Sequence, residues 1–95
     1  ATLMEILDLS SFDTSKVTDM EGMFREPINL KTIYVGNKFS VSNVSSSNEM
    51  LYGCTKLVGG AGTKYDSTKT DKTYGRIDGG ESSPGYFTLK TNWFI

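Results

Sequence analysis

The sequence predicts an α+β solenoid, with short parallel strands plus short helices and a β-rich C-terminal cap. Three observations point there. One string of residues recurs, each copy opens on an apolar triplet, and the composition changes after Leu57.

The first copy runs from Leu7 to Leu30, LDLSSFDTSKVTDMEGMFREPINL, and the second from Ile33 to Leu57, IYVGNKFSVSNVSSSNEMLYGCTKL. Phe12 and Phe39, Val17 and Val44, Met23 and Met50, and Leu30 and Leu57 are each 27 positions apart. The openings Leu7 and Ile33 are 26 apart, so one residue is inserted near Asn37–Lys38. Each unit has an apolar face it cannot bury alone, and stacking on a neighbour buries it.

Leu7-Asp8-Leu9 and Ile33-Tyr34-Val35 read as short strands lying side by side in a parallel sheet. Ser10-Ser11 and Gly36-Asn37 follow as turns, and Phe12 and Phe39 return to the core. Asp13-Thr14-Ser15 reads as a turn capped by its own side chains. Val17, Met20, Met23 and Phe24 fall at helical spacing, with Thr18 or Asp19 as the cap. The second copy, with Ser45-Ser46-Ser47 before Asn48-Glu49-Met50-Leu51, predicts a shorter helix or a 3₁₀ turn. Residues 1–57 thus form two repeats of about 27 residues. Residues 58–95 form a cap in the same domain.

These strings resemble the BspA-like leucine-rich-repeat surface proteins of bacteria. The related repeat in surface proteins of lactobacilli, enterococci and mycoplasmas is similar, running approximately L-D-L-S-x-F-D-T-S-x-V-T-x-M-x-x-M-F-x-x-C-x-x-L. Leu7 to Phe24 match it closely, and Met50-Leu51-Tyr52-Gly53-Cys54-Thr55-Lys56-Leu57 carries its ending. Pro27 stands in place of the usual cysteine, Ser47 in place of a methionine, and Ile33-Tyr34-Val35-Gly36 in place of L-D-L-S. Leu57-Val58-Gly59-Gly60, Gly62-Thr63-Lys64-Tyr65, Arg76-Ile77-Asp78-Gly79-Gly80 and Pro84-Gly85-Tyr86-Phe87-Thr88 resemble that family's closing element. The resemblance implies a leucine-rich-repeat-like fold in an exported, surface-displayed bacterial protein used for adhesion or host contact, extracellular or in the cell wall.

In the closing segment, Tyr74-Gly75-Arg76-Ile77-Asp78 and Tyr86-Phe87-Thr88-Leu89 predict strands of a small antiparallel cap. Tyr65, Tyr74, Tyr86 and Phe87 supply its apolar content. Trp93-Phe94-Ile95 packs back on the cap or begins a linker. An open end exposes core and unpaired strand edge, so a cover is needed. The chain starts at Ala1 and runs straight into an apolar segment, which reads as a piece of a longer protein.

Composition narrows the function. A chain of 95 residues with net charge −1 shows no clustered basic face for nucleic acid. No apolar stretch approaches the length needed to span a bilayer, which predicts no membrane insertion within this fragment. There is no histidine and one cysteine, Cys54. Ser–His and Cys–His catalysis within the chain are therefore excluded, and the chain reads as non-enzymatic with no cofactor. Gly59-Gly60-Ala61-Gly62-Thr63-Lys64 lacks the G-K-[ST] order of a phosphate loop and reads as a turn. Asp66, Asp71, Asp78 and Glu81 fit no calcium-loop spacing and read as a solvated loop. Met20, Met23 and Met50 read as core, and Cys54 as a buried, inert thiol. Asn43-Val44-Ser45 is a glycosylation sequon, read as unused.

The nominal partner-binding face is the outward side of the strands, at Asp8, Ser10, Tyr34 and Gly36, with Tyr52 as a further contact. The expected partner is an extracellular protein or host surface component. The competing expectation is purely structural: the segment seals a longer solenoid whose upstream repeats carry recognition. Leu3, Ile6, Leu7 and Leu9 form an exposed apolar N-terminal rung.

Overall fold

The computed structural model describes residues 4–25 and 27–90, so Leu3 and the Trp93-Phe94-Ile95 end lie outside the described residues. Strand β1 (Ile6–Leu9), β2 (Thr32–Val35) and β3 (Phe87–Leu89) form one sheet in that order. All three strands are parallel. The openings of the two copies pair as expected, Leu7 with Ile33 and Leu9 with Val35. Their inward side chains are apolar, and those of β2, which has a neighbour on each side, are fully buried.

The two copies make the same turns. Phe12 N–H donates to the Leu9 carbonyl, and Phe39 N–H to Gly36. Val17 to Thr14 is matched by Val44 to Val41, Met23 to Met20 by Met50 to Ser47, and Leu30 to Pro27 by Leu57 to Cys54. Each pair is offset by 27. The one-residue insertion lies between Val35 and Phe39, because the strands pair at an offset of 26. Local side-chain bonds shape these turns. Asp13 Oδ1 accepts from Ser15 N–H, and Ser40 Oγ accepts from Ser42 N–H at the matching place.

The copies are joined across a second wall as well as by the sheet. Met20, Gly22 and Phe24 N–H donate to the Ser46, Asn48 and Met50 carbonyls at 2.7, 3.1 and 2.8 Å. Ser45 and Ser46 return bonds to the Thr18 carbonyl. Buried Thr14 ties the copies at a third place, its Oγ1 accepting from Ser40 N–H and donating to the Ser40 carbonyl.

This wall corrects the expected helix over Val17–Phe24. The N–H groups at 20, 22 and 24 point sideways to the other copy and cannot close i→i−4 bonds. Gly22 has φ 63°, outside the helical region, and Glu49 at the matching position has φ 56°. Among the described residues the helical turns are two 3₁₀ segments, Lys72–Tyr74 and Gly80–Ser82, both in the closing segment. Turns, not a short helix, occupy the corresponding part of the second copy.

The expected antiparallel cap is also corrected. Tyr74 ends a 3₁₀ turn, and Ile77 makes only an isolated parallel bridge to Phe87. Phe87–Leu89 extends the repeat sheet parallel to β2. The physical reason is that β2 has a free edge and the chain returns from Pro84 in the direction of the other strands. Phe87 is fully buried, with the rings of Phe24 and Phe39 edge-on to it at 5.9 and 4.9 Å. Tyr65 stacks on Tyr86 and Tyr74 meets it edge-on.

Two core assignments fail on the first copy. Phe12 is 52% exposed and Met23 45%, whereas Met20, Phe24, Val44 and Met50 are buried.

Candidate functional site

The sheet carries the expected contact residues on its outward side. Asp8, Tyr34 and Thr88 are register partners and form one row across β1, β2 and β3. Ser10 and Gly36 follow immediately, so close together that a Cβ on Gly36 would collide with the Ser10 carbonyl. Lys90 N–H donates to the Val35 carbonyl at 2.9 Å, and its ammonium reaches Asp8 Oδ2 at 2.5 Å. The lysine therefore spans β2, from the β3 side to β1. Lys90, and then Ser10, whose N–H donates to Asp8 Oδ1 at 2.9 Å, hold the Asp8 carboxyl below the usual carboxylate range.

Asp8, Ser10, Tyr34 and Gly36 are thus brought together. Tyr52 is not part of that row. It lies in the second wall with the Arg25 guanidinium 5.7 Å from its ring centroid, and Arg25 also approaches Glu49 at 3.6 Å. Thr88 and Lys90 were missed by the sequence reading. Their signal was present, since Phe87-Thr88-Leu89 is a third apolar-x-apolar triplet like Leu7-Asp8-Leu9 and Ile33-Tyr34-Val35.

Asp78 corrects the solvated-loop reading. It is buried, and its two oxygens accept from Ala61, Thr63, Gly80 and Gly85 N–H and from Thr63 Oγ1. Burial alone would raise its pKa. The hydrogen bonds from Thr63, Gly80 and Ala61 outweigh burial and hold it at about 2. The Gly59–Lys64 turn therefore does cradle an anion, but the anion is the protein's own carboxylate. Gly59 is required there, because a Cβ would collide with the Gly85 carbonyl and the Asp78 carboxylate.

Asp66 and Asp71 are spent locally: Asp66 Oδ1 accepts from Thr68, and Asp71 Oδ1 from Thr73 at the start of a 3₁₀ turn. Among the described residues, no three of the Asp, Glu and Cys side chains gather into a set able to hold a metal ion. The Cys54 thiol is buried and donates to the Phe24 carbonyl at 3.0 Å, and burial pushes its pKa up to about 12. A thiol so placed is a poor nucleophile. Tyr86 is likewise pushed up to about 12 by burial, its hydroxyl accepting from Asp66 N–H and donating to the Asp66 carbonyl. Among the described residues no helix is long and apolar enough to cross a membrane.

Open depressions mark the surface among the described residues, and three of them are informative. One of about 430 Å³ lies between Phe39–Ser42 and Gly75–Ile77. Another of about 490 Å³ lies beside Lys31, Lys56 and Lys64. The third, about 220 Å³, lies at the end formed by the first copy, between Met4, Leu7, Met23, Pro27 and Leu30. None of them opens onto the Asp8–Tyr34–Thr88 row.

No curated protein and no solved structure matches the chain. A family model described as "Mycoplasma protein of unknown function, DUF285" matches residues 3–82. That match covers both repeat copies and the Asp78 turn and ends before β3. On that match the chain belongs to the DUF285 family.

Proposed function

We propose that the chain is a non-catalytic protein-binding module of a bacterial surface protein, a leucine-rich-repeat-like solenoid segment of the BspA-like kind, acting outside the cell in adhesion. The observation that carries this reading is the outward row of Asp8, Tyr34 and Thr88, flanked by Ser10, Gly36 and Lys90. A half-buried tyrosine held by two neighbouring strands presents area at little entropic cost. Interfaces favour such anchors. The row is narrow, so a specific contact of roughly 800 Å² per partner needs further rungs of the same sheet.

The test is saturable binding of labelled chain to host-cell surfaces, compared with Tyr34→Ala and Asp8→Ala. Loss of binding with unchanged unfolding midpoint supports the face. Binding that survives both substitutions overturns it.

A second reading is structural: this segment seals the solenoid and recognition lies elsewhere. Phe87 favours it, because one closing-segment ring covers an aromatic side chain from each copy. Deletion of residues 58–95 from a longer protein separates the two. Lost stability with retained binding by the folded remainder identifies a seal.

A further inference from the structure

The end of the molecule formed by the first copy repeats, unpaired, the surface that the second copy offers to the first. The second copy presents the Ser46, Asn48 and Met50 carbonyls to amides of the first. The matching carbonyls of the first copy are those of Asp19, Glu21 and Met23, which accept no hydrogen bond within the described residues. The second copy also donates Ser45 and Ser46 N–H to Thr18. The matching amides, Thr18 and Asp19, donate to nothing within the described residues. Among the described residues, strand β1 pairs on one edge only, and its other edge faces the same direction.

The side chains agree with the backbone. Phe12 and Met23 are 52% and 45% exposed, while Met50, in the place corresponding to Met23, is fully buried. Between Met4, Leu7, Met23 and Leu30 lies the apolar depression of about 220 Å³, open to the outside. What covers the corresponding surface of the second copy is visible: it is the first copy. A tyrosine or charge facing solvent would be ordinary at a finished end, but a largely apolar hollow, bordered also by Arg25, on the same end as amides and carbonyls that have no partner among the described residues is an acceptor.

We infer that this end is a docking surface for one further repeat unit, laid parallel to β1 in the register that β1 keeps with β2. That unit donates alternate amides to the Asp19, Glu21 and Met23 carbonyls, accepts from Thr18 and Asp19 N–H, and seats an aliphatic or aromatic side chain in the hollow. The inference does not rest on the outward row as a contact face; either can fail alone. It gives that row its length, since each added unit brings one more strand to the same sheet.

The experiment inserts a duplicate of residues 6–31 directly before Ile6, which preserves the 26-residue strand register. The expected result is a raised unfolding midpoint and hydrogen exchange slowed about tenfold or more at Thr18 and Asp19 N–H. Met23→Lys leaves the 95-residue chain's midpoint unchanged and lowers that of the extended chain. Three results overturn the inference. One is an insert that does not protect Thr18 and Asp19, whether or not it folds. Another is an equal loss of midpoint from Met23→Lys in both chains. The last is a dimer of the 95-residue chain, seen by sedimentation and dissolved by Met23→Lys, which assigns the face to a second copy instead.

Discussion

The two copies share their turns and differ in their surroundings. Met50 and Met23 hold the same place in the repeat and close the same i→i−3 turn, yet one is fully buried and the other nearly half exposed. Leu7 and Ile33 show the same contrast, half-buried against buried. The second copy has the first on one side and the closing segment on the other, with Leu51 N–H bonded to the Thr70 carbonyl and Lys72 N–H to Ser47 Oγ. Its Val44 carbonyl also accepts from the Lys72 ammonium. The lesson is that burial in a repeat is set by the number of neighbours and not by the residue alone.

The sharpest challenge to that comparison is Phe87→Ala, which removes the ring touching Phe24 of one copy and Phe39 of the other. Truncating a buried phenylalanine costs about 3–5 kcal/mol, so urea unfolding should show the midpoint of both copies falling together. Separate transitions for the copies would show that the closing segment does not bind them into one unit.

Next is the methionine pair. Met50→Ala should cost about 2–5 kcal/mol as a cavity in a sealed core, and Met23→Ala less than about 0.5 kcal/mol as a surface change. Equal losses in thermal or urea unfolding would erase the distinction between the copies.

The third effect is acid sensitivity in the closing segment. The Asp78 pKa is depressed from the usual 3.8 to about 2. Its stabilisation is therefore present above pH 4 and is lost as the pH falls from about 4 toward 2, amounting to at most about 2 kcal/mol. Exposed Asp8, Asp13, Asp66 and Asp71 are also lowered, each by hydrogen bonds to its carboxylate. Asp78→Asn isolates the buried contribution: the difference in stability between it and the parent should shrink steadily below pH 4. A difference independent of pH would remove Asp78 as the acid-sensitive group.

The smallest effect has the opposite sign. Glu49 occupies the left-handed region where the first copy has Gly22. Side chains carry a penalty of about 1 kcal/mol or more there, partly offset by the extra freedom glycine has in the unfolded chain. Glu49→Gly should therefore raise stability by about 0.5 kcal/mol in urea unfolding. A loss would mean that the Arg25–Glu49 approach contributes more than the backbone strain costs.

Much of the frame was legible in the residues. The strand pairing of Leu7 with Ile33 follows from the recurrence of one unit, and the side-chain-bonded turn at Asp13–Ser15 from local pattern, because turns are made by neighbours in sequence. The outward placement of Asp8 and Tyr34 follows from strand alternation. Val17, Met20, Met23 and Phe24 misled, since bent backbone with an i→i−3 turn brings residues at that spacing to one side much as a helix does.

The sequence by itself determined that a unit recurs, where each copy turns, and which side of each strand is apolar. Tertiary structure alone decided that the amides of Met20, Gly22 and Phe24 bond across the copies instead of along a helix. It also decided that β3 joins the repeat sheet in parallel, and that Asp78 is the anion held by the Gly59–Lys64 turn. The reason is range: turn and strand preferences are written in residues a few positions apart, whereas these three outcomes depend on groups brought together from distant parts of the chain.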